Sequence, residues 1–157
     1  MYMPEFLNFE TLSEKWGQAV LDGSIVVKFR AQLAAVVAMD GPAPPGQKKA
    51  DFRTVTSFAV FAPPERKGAP STGKRTGESF EADRLTLARP AESIYRTPNQ
   101  IVILRLHPAR FFATSGFDAS GEPVLEAETA LDFVTLPVPR SPAVSEVPTP
   151  EVPRNQT

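Results

Sequence analysis

The segment Gly68-Ala-Pro-Ser-Thr-Gly73-Lys74-Arg75-Thr76 is the nearest approach to a catalytic signature in the chain. A phosphate-binding loop, G-x-x-x-x-G-K-[ST], cradles phosphate on backbone amides and holds magnesium with the hydroxyl that follows the lysine. Here Arg75 takes the hydroxyl position and Thr76 is displaced by one. Pro63-Pro64 separate the loop from the preceding strand, and no amphipathic helix follows to present its N-terminus to an anion. A surface loop is expected, not a nucleotide site.

His107 is the single histidine and there is no cysteine, which excludes paired-histidine and zinc-thiolate centres, thiol nucleophiles and disulfides within this sequence. A Ser-His-Asp mechanism would depend on His107 with no nucleophile motif beside it. Followed by Pro108, it reads as a structural residue at an edge, bulge or break of a strand. Glu126, Glu128 and Asp132 could form an acid–base pair or a cation site. They alternate, however, with Leu125, Ala127, Thr129, Leu131, Phe133 and Thr135, and this period of two puts all three on the wet face of one strand. No catalytic residue, metal ligand or cofactor is expected, and the chain reads as a non-enzyme.

The basic residues suggest another chemistry. Lys plus Arg at 17 against Asp plus Glu at 18 leaves a formal charge of -1, so any anion site must be local. Lys28, Arg30, Arg53, Lys74 and Arg75 could contact the phosphates of a single-stranded nucleic acid while Phe52 or Phe58 stacks on bases, as in an oligonucleotide-binding barrel. The aromatic residues fall mostly in core phase, which makes this the alternative reading.

Two hairpins should position these residues. Ile101 to Leu106 and Val124 to Leu136 flank the turn-rich segment Ser115 to Pro123. Ile25, Val27, Phe29, Ala31, Leu33, Ala35, Val37 and Met39 share one face of a second long strand, which returns after a Gly/Pro loop through Phe52, Thr54, Thr56, Phe58 and Val60. Each unit is a long apolar strand, a loop and a Phe-bearing strand ending in prolines, a hint of two hairpins packed face to face. In front of them Thr11 and Glu14 fit a capping box, Leu12, Trp16, Ala19 and Val20 recur at helical spacing, and Asp22-Gly23 would end the helix. Phe80 to Ala88 reads as a further strand, and Arg89 to Pro98 as a turn or helical connector. Of the adjacent Phe111 and Phe112, one should enter the core.

The expected fold is mainly β: a small sandwich or barrel of about six strands with one N-terminal helix and an extended proline-rich C-terminal arm. A ferredoxin-like α+β sheet is the alternative. Residues 1–10 form an N-terminal arm, 11–139 a single domain with an exposed basic loop at 62–78, and 140–157 a tail. Seventeen prolines, about twice the usual ~5%, concentrate partly in that tail, where polyproline geometry would carry 140–157 about 50 Å. Val144, Val147 and Val152 supply apolar anchors along it for a protein partner. The expected function is a non-enzymatic assembly protein, such as a component of a virion or another large complex, that engages its neighbours through its loops and C-terminal arm. Its partners would be copies of itself or other subunits. The first ten residues carry Glu5 and Glu10 without a continuous apolar run, unlike a secretory or transit segment, so a cytoplasmic or virion location is expected.

Overall fold

The computed structural model describes residues 3–41, 49–81 and 86–138. They form ten strands: β1 (Phe6–Leu7), β2 (Glu10–Lys15), β3 (Gly17–Leu21), β4 (Ile25–Met39), β5 (Lys49–Phe61), β6 (Arg75–Glu81), β7 (Thr86–Arg89), β8 (Ala91–Arg96), β9 (Gln100–Phe117) and β10 (Pro123–Pro137). The only helical piece among the described residues is a single 3-10 turn, Pro64–Arg66. All pairings are antiparallel, and the strands form two five-stranded sheets stacked as an open sandwich, not a closed barrel. In the first sheet β5 runs the length of one edge of β4, while β3 and β1 share the other edge and β7 extends β3. The second sheet has the same plan. There β10 runs along β9, β8 and β6 share the opposite edge, and β2 extends β8.

The plan is an internal repeat with exchanged strands. Strands β1 to β5 correspond in order to β6 to β10, except that β2 of the first half joins the second sheet and β7 of the second half joins the first. The long strands even share a defect. Ala34 is an unpaired extra residue between the pairs Leu33↔Thr54 and Ala35↔Arg53. Ala109 is its counterpart between Pro108↔Thr129 and Arg110↔Glu128. Each bulge flips the alternation, so Val36 and Phe111, not their neighbours, are buried beyond it. The expected inward run Ala35, Val37, Met39 therefore ends at Leu33, and Met39 is 46% exposed. Phe111 enters the core while Phe112 lies outside, beneath the Arg75 guanidinium.

The expected N-terminal helix is replaced by β2 and β3. Asp22 and Gly23, with φ of 50° and 68°, form a tight turn closed by Ser24 N–H donating to Leu21 C=O at 3.0 Å. Positive φ at both central residues turns the chain tightly, and Leu21 pairs with Ile25 across the three-residue loop 22–24, so Asp-Gly joins two strands here instead of stopping a helix. Gly17, Ala19 and Leu21 then alternate inward against Phe29, Val27 and Ile25. Gly17 is required by proximity: a Cβ there would sit 2.2 Å from the Phe29 ring and 2.6 Å from the Arg89 carbonyl. The expected connector 89–98 is likewise a strand, β8, with Ala91, Ser93 and Tyr95 buried. Its flanking prolines bracket the ladder without entering it. The expected N-terminal arm contributes β1 to the first sheet.

The core lies between the sheets and is centred on Phe29, Tyr95, Phe111, Leu104 and Leu106, all at most 1% exposed. Each such side chain contributes about 1.5–3 kcal/mol relative to exposure. Among the described residues, the edge of β4 between β3 and β1 has no strand partner over Ala31–Leu33. Side chains from β8 fill it: Ser93 Oγ donates to Ala31 C=O at 2.7 Å, and the Tyr95 phenol meets the Leu33 backbone. The Tyr95 hydroxyl donates to the Glu14 carboxylate. The same gap in β9 holds Pro108, which has no N–H to satisfy.

Candidate interaction surface

Because β4 and β9 are interior, the long strands β5 and β10 are left as edges. Among the described residues β5 pairs only with β4, and β10 only with β9. The two edges lie on the same side of the sandwich and run antiparallel past each other. Phe52 and Phe133 meet across the gap with ring centroids 5.1 Å apart. Further along, Phe58, Val60 and Phe61 line a groove of about 510 Å³ with Pro123, Val124 and Leu125. Phe58 also approaches Phe29 and Phe111, each at 6.5 Å between centroids.

The inward faces of these edge strands are only half covered. Phe58 and Phe133 are each 40% exposed although they point between the sheets, and Thr56, Ala127 and Thr135 are exposed beside them. The outward faces carry Val55 at 49%, Phe61 at 52% and Leu136 at 47%. Residues 55–61, Val-Thr-Ser-Phe-Ala-Val-Phe, contain no charge, proline or glycine. A free edge with such a run offers backbone donors and acceptors to any extended chain, and monomeric proteins usually guard it with charge or a bulge. The guarding charges are asymmetric. On β5 they are confined to Lys49, Asp51 and Arg53, whereas β10 carries Glu126, Glu128 and Asp132.

The carboxylates of β10 are exposed, as the alternation implies. Glu126 is paired with Arg75, and Asp132 Oδ2 lies 2.9 Å from His107 Nε2, a cross-strand pair on the outer face. Lys28, Arg30 and Arg53 belong to the first sheet, while Lys74 and Arg75 lie at the start of β6 in the second. The structure does not gather these five into one groove. Arg53 pairs with Asp51 at 2.7 Å, and Arg30 reaches Glu14 at 3.7 Å while lying 4.4 Å over the Trp16 ring. Arg75 is held by Glu126 and lies 3.9 Å over Phe112. The tail residues Val144, Val147 and Val152 lie outside the described residues.

The expected loop 62–78 is tied down and in part a strand, since β6 begins at Arg75. Ser71 and Phe117 exchange two backbone hydrogen bonds of 3.0 Å. Arg66 pairs with Asp22, and Lys67 with Glu122 at 3.3 Å. Gly73 crosses Gly116 so closely that a Cβ would lie 2.2 Å from the Gly116 amide nitrogen. Gly73 thus serves close backbone contact and Gly68 lies against the Phe117 ring, and the chain continues into β6 where a phosphate loop would need a helix.

Sequence reasoning missed one polar cluster. Burial, and next the hydrogen bond to Glu14, raise the Tyr95 pKa above its ordinary 10.0. Gln32 Nε2 also donates to Glu14 at 3.5 Å, and Arg30 Nε is buried without a partner. The available signal was the alternation Ala91, Ser93, Tyr95. Among the described residues no group of three His, Asp or Glu is arranged to hold a metal, and no helix is long and apolar enough to cross a membrane. Comparison with protein families, curated proteins and solved structures finds no match to this chain.

Proposed function

We propose that this protein is a non-enzymatic assembly component that joins neighbouring subunits of a larger complex, such as a virion, through its exposed sheet edges. The observation that carries the reading is the pair of long edges, β5 and β10, that no other described strand pairs with, and the uncharged run 55–61 on one of them. An edge strand adds a neighbour's strand by backbone hydrogen bonds, and side chains on alternating faces select it. Val55 and Phe61 provide that selection on the outer face, and Phe58 and Phe133 on the inner. The C-terminal segment 140–157 is proposed as a second attachment through Val144, Val147 and Val152.

The test is the size of the particle that contains this chain in extracts of its source. The wild type is expected to migrate with a large complex, and Val55→Lys with Phe61→Lys to release it as free chain, because edge lysines block strand addition. A wild type that migrates as free chain would overturn the reading.

A further inference from the structure

We propose that the first partner of these edges is a second copy of this chain, in a two-fold dimer where β5 of each copy pairs antiparallel with β10 of the other. This rests on the assembly reading and names its building unit: the edges join two copies, and segment 140–157 is left to attach the pair to the rest of the complex. Three observations converge on it.

The first is placement. Both free edges lie on one side of the sandwich and run in opposite directions, with Phe52 level with Phe133 and Phe58–Phe61 level with Pro123–Leu125. Half a turn about an axis between the sheets and parallel to the strands brings β10 of the second copy beside β5, at the same height and antiparallel. The same rotation makes the reciprocal pair, so both sheets continue across the dimer and no long edge remains. Such a closed interface is self-complementary, the commonest arrangement of homo-oligomers.

The second is register. Levelling Phe52 with Phe133 sets Lys49 to Phe61 against Leu136 to Val124, so all 13 residues of β5 lie within β10. On the outer face this register puts Arg53 opposite Asp132, Val55 opposite Ala130 and Phe61 opposite Val124. On the inner face Thr56 meets Thr129 and Val60 meets Leu125. No like charges are opposed, and the half-covered Phe58 and Phe133 come under the neighbour's strands.

The third is the failure of the competing arrangement. A two-fold axis perpendicular to the sheets would pair β5 with β5 and β10 with β10. Full overlap of β10 with itself sets Glu128 opposite Asp132 twice, and like charges directly opposite destabilise a ladder.

The chain has no cysteine, so introduced thiols report this pairing without background. Purified wild type is expected at twice the 17.1 kDa chain mass by light scattering. Val55→Cys and Ala130→Cys copies carrying tags of different length are expected to form the mixed disulfide on oxidation, in preference to either self-pair. Arg53→Glu and Asp132→Arg should each weaken dimerisation at least about tenfold, and both in one chain should restore it. A monomer at every concentration overturns the dimer, and the assembly reading then stands or falls by the extract experiment. A dimer cross-linked through Val55 to Val55 overturns the β5–β10 pairing. A charge reversal that is not rescued by its partner overturns the register.

Discussion

Replacing Gly17 with alanine tests the packing of β3 between β4 and β7. Outside the positive-φ region, alanine for glycine ordinarily stabilises by about 0.4–1 kcal/mol, because it restricts the unfolded chain. At Gly17 the new Cβ would lie 2.2 Å from Phe29 Cε2 and 2.6 Å from the Arg89 carbonyl oxygen, where ordinary contact begins at 3.4 Å. Phe29 is 0% exposed and cannot swing away. The ladder must therefore open by about an ångström, an overpacking strain of about 1–3 kcal/mol or more. For a domain of this size each kcal/mol moves Tm by about 2–4 °C, so a loss of about 2–12 °C is expected by calorimetry. Gly23→Ala is the control. It meets no atom within 4 Å but sits at φ +68°, so it incurs only the left-handed backbone cost of about 1–2 kcal/mol. A Gly17→Ala protein that melts at or above the wild-type temperature would refute the reasoning.

Other consequences are as specific. Ser93→Ala leaves the Ala31 carbonyl unsatisfied in the β4 gap and should lose about 1–3 kcal/mol in urea unfolding. Tyr95→Phe should lose about 1–2 kcal/mol at neutral pH with its bond to Glu14, and it should also flatten the alkaline limb of stability. The folded phenol has a raised pKa, so its contribution is complete below pH 10.0 and is lost as pH rises through the folded value; the slope difference between the two proteins reads it directly. The Ala34 bulge is tested by paired substitutions: Val36→Thr, at a site 1% exposed, should lose about 1–3 kcal/mol, whereas Val37→Thr should change stability by under about 1 kcal/mol. Truncation after Arg140 should leave Tm within a few degrees of the full chain while weakening attachment to the larger complex.

What could be read beforehand was local. The alternation of β10, the Phe111/Phe112 split and the β4–β5 and β9–β10 hairpins follow from a period of two and from turn residues. An N-terminal helix is what the sequence suggests because Thr11 and Glu14 form a credible cap locally, while the decisive signal, Asp-Gly between alternating residues, fits a helix stop as readily as a hairpin. β8 was obscured by Pro90 and Pro98, which suggest a break but stand just outside the ladder. The bulges at Ala34 and Ala109 leave no mark in composition, yet each reverses which side chains are buried beyond it. The outward carboxylates of the interaction surface were legible. The meeting of β5 and β10 on one side was not, because it depends on how two sheets stack and not on any one strand.

The exchange of β2 and β7 also constrains how this chain can come into being. Glu10 pairs with Arg96, and Gln18 with Arg89, so neither sheet is complete until the second half of the chain has been made. A single repeat, 6–61, would have a β2 with no ladder to join and a β3 with one bare edge. It could satisfy both only by trading strands with another repeat. The present molecule is thus organised as two copies of a swapped unit joined in one polypeptide. Fragments 1–61 and 62–157 would be expected to remain unfolded apart and to regain the native β signal when mixed.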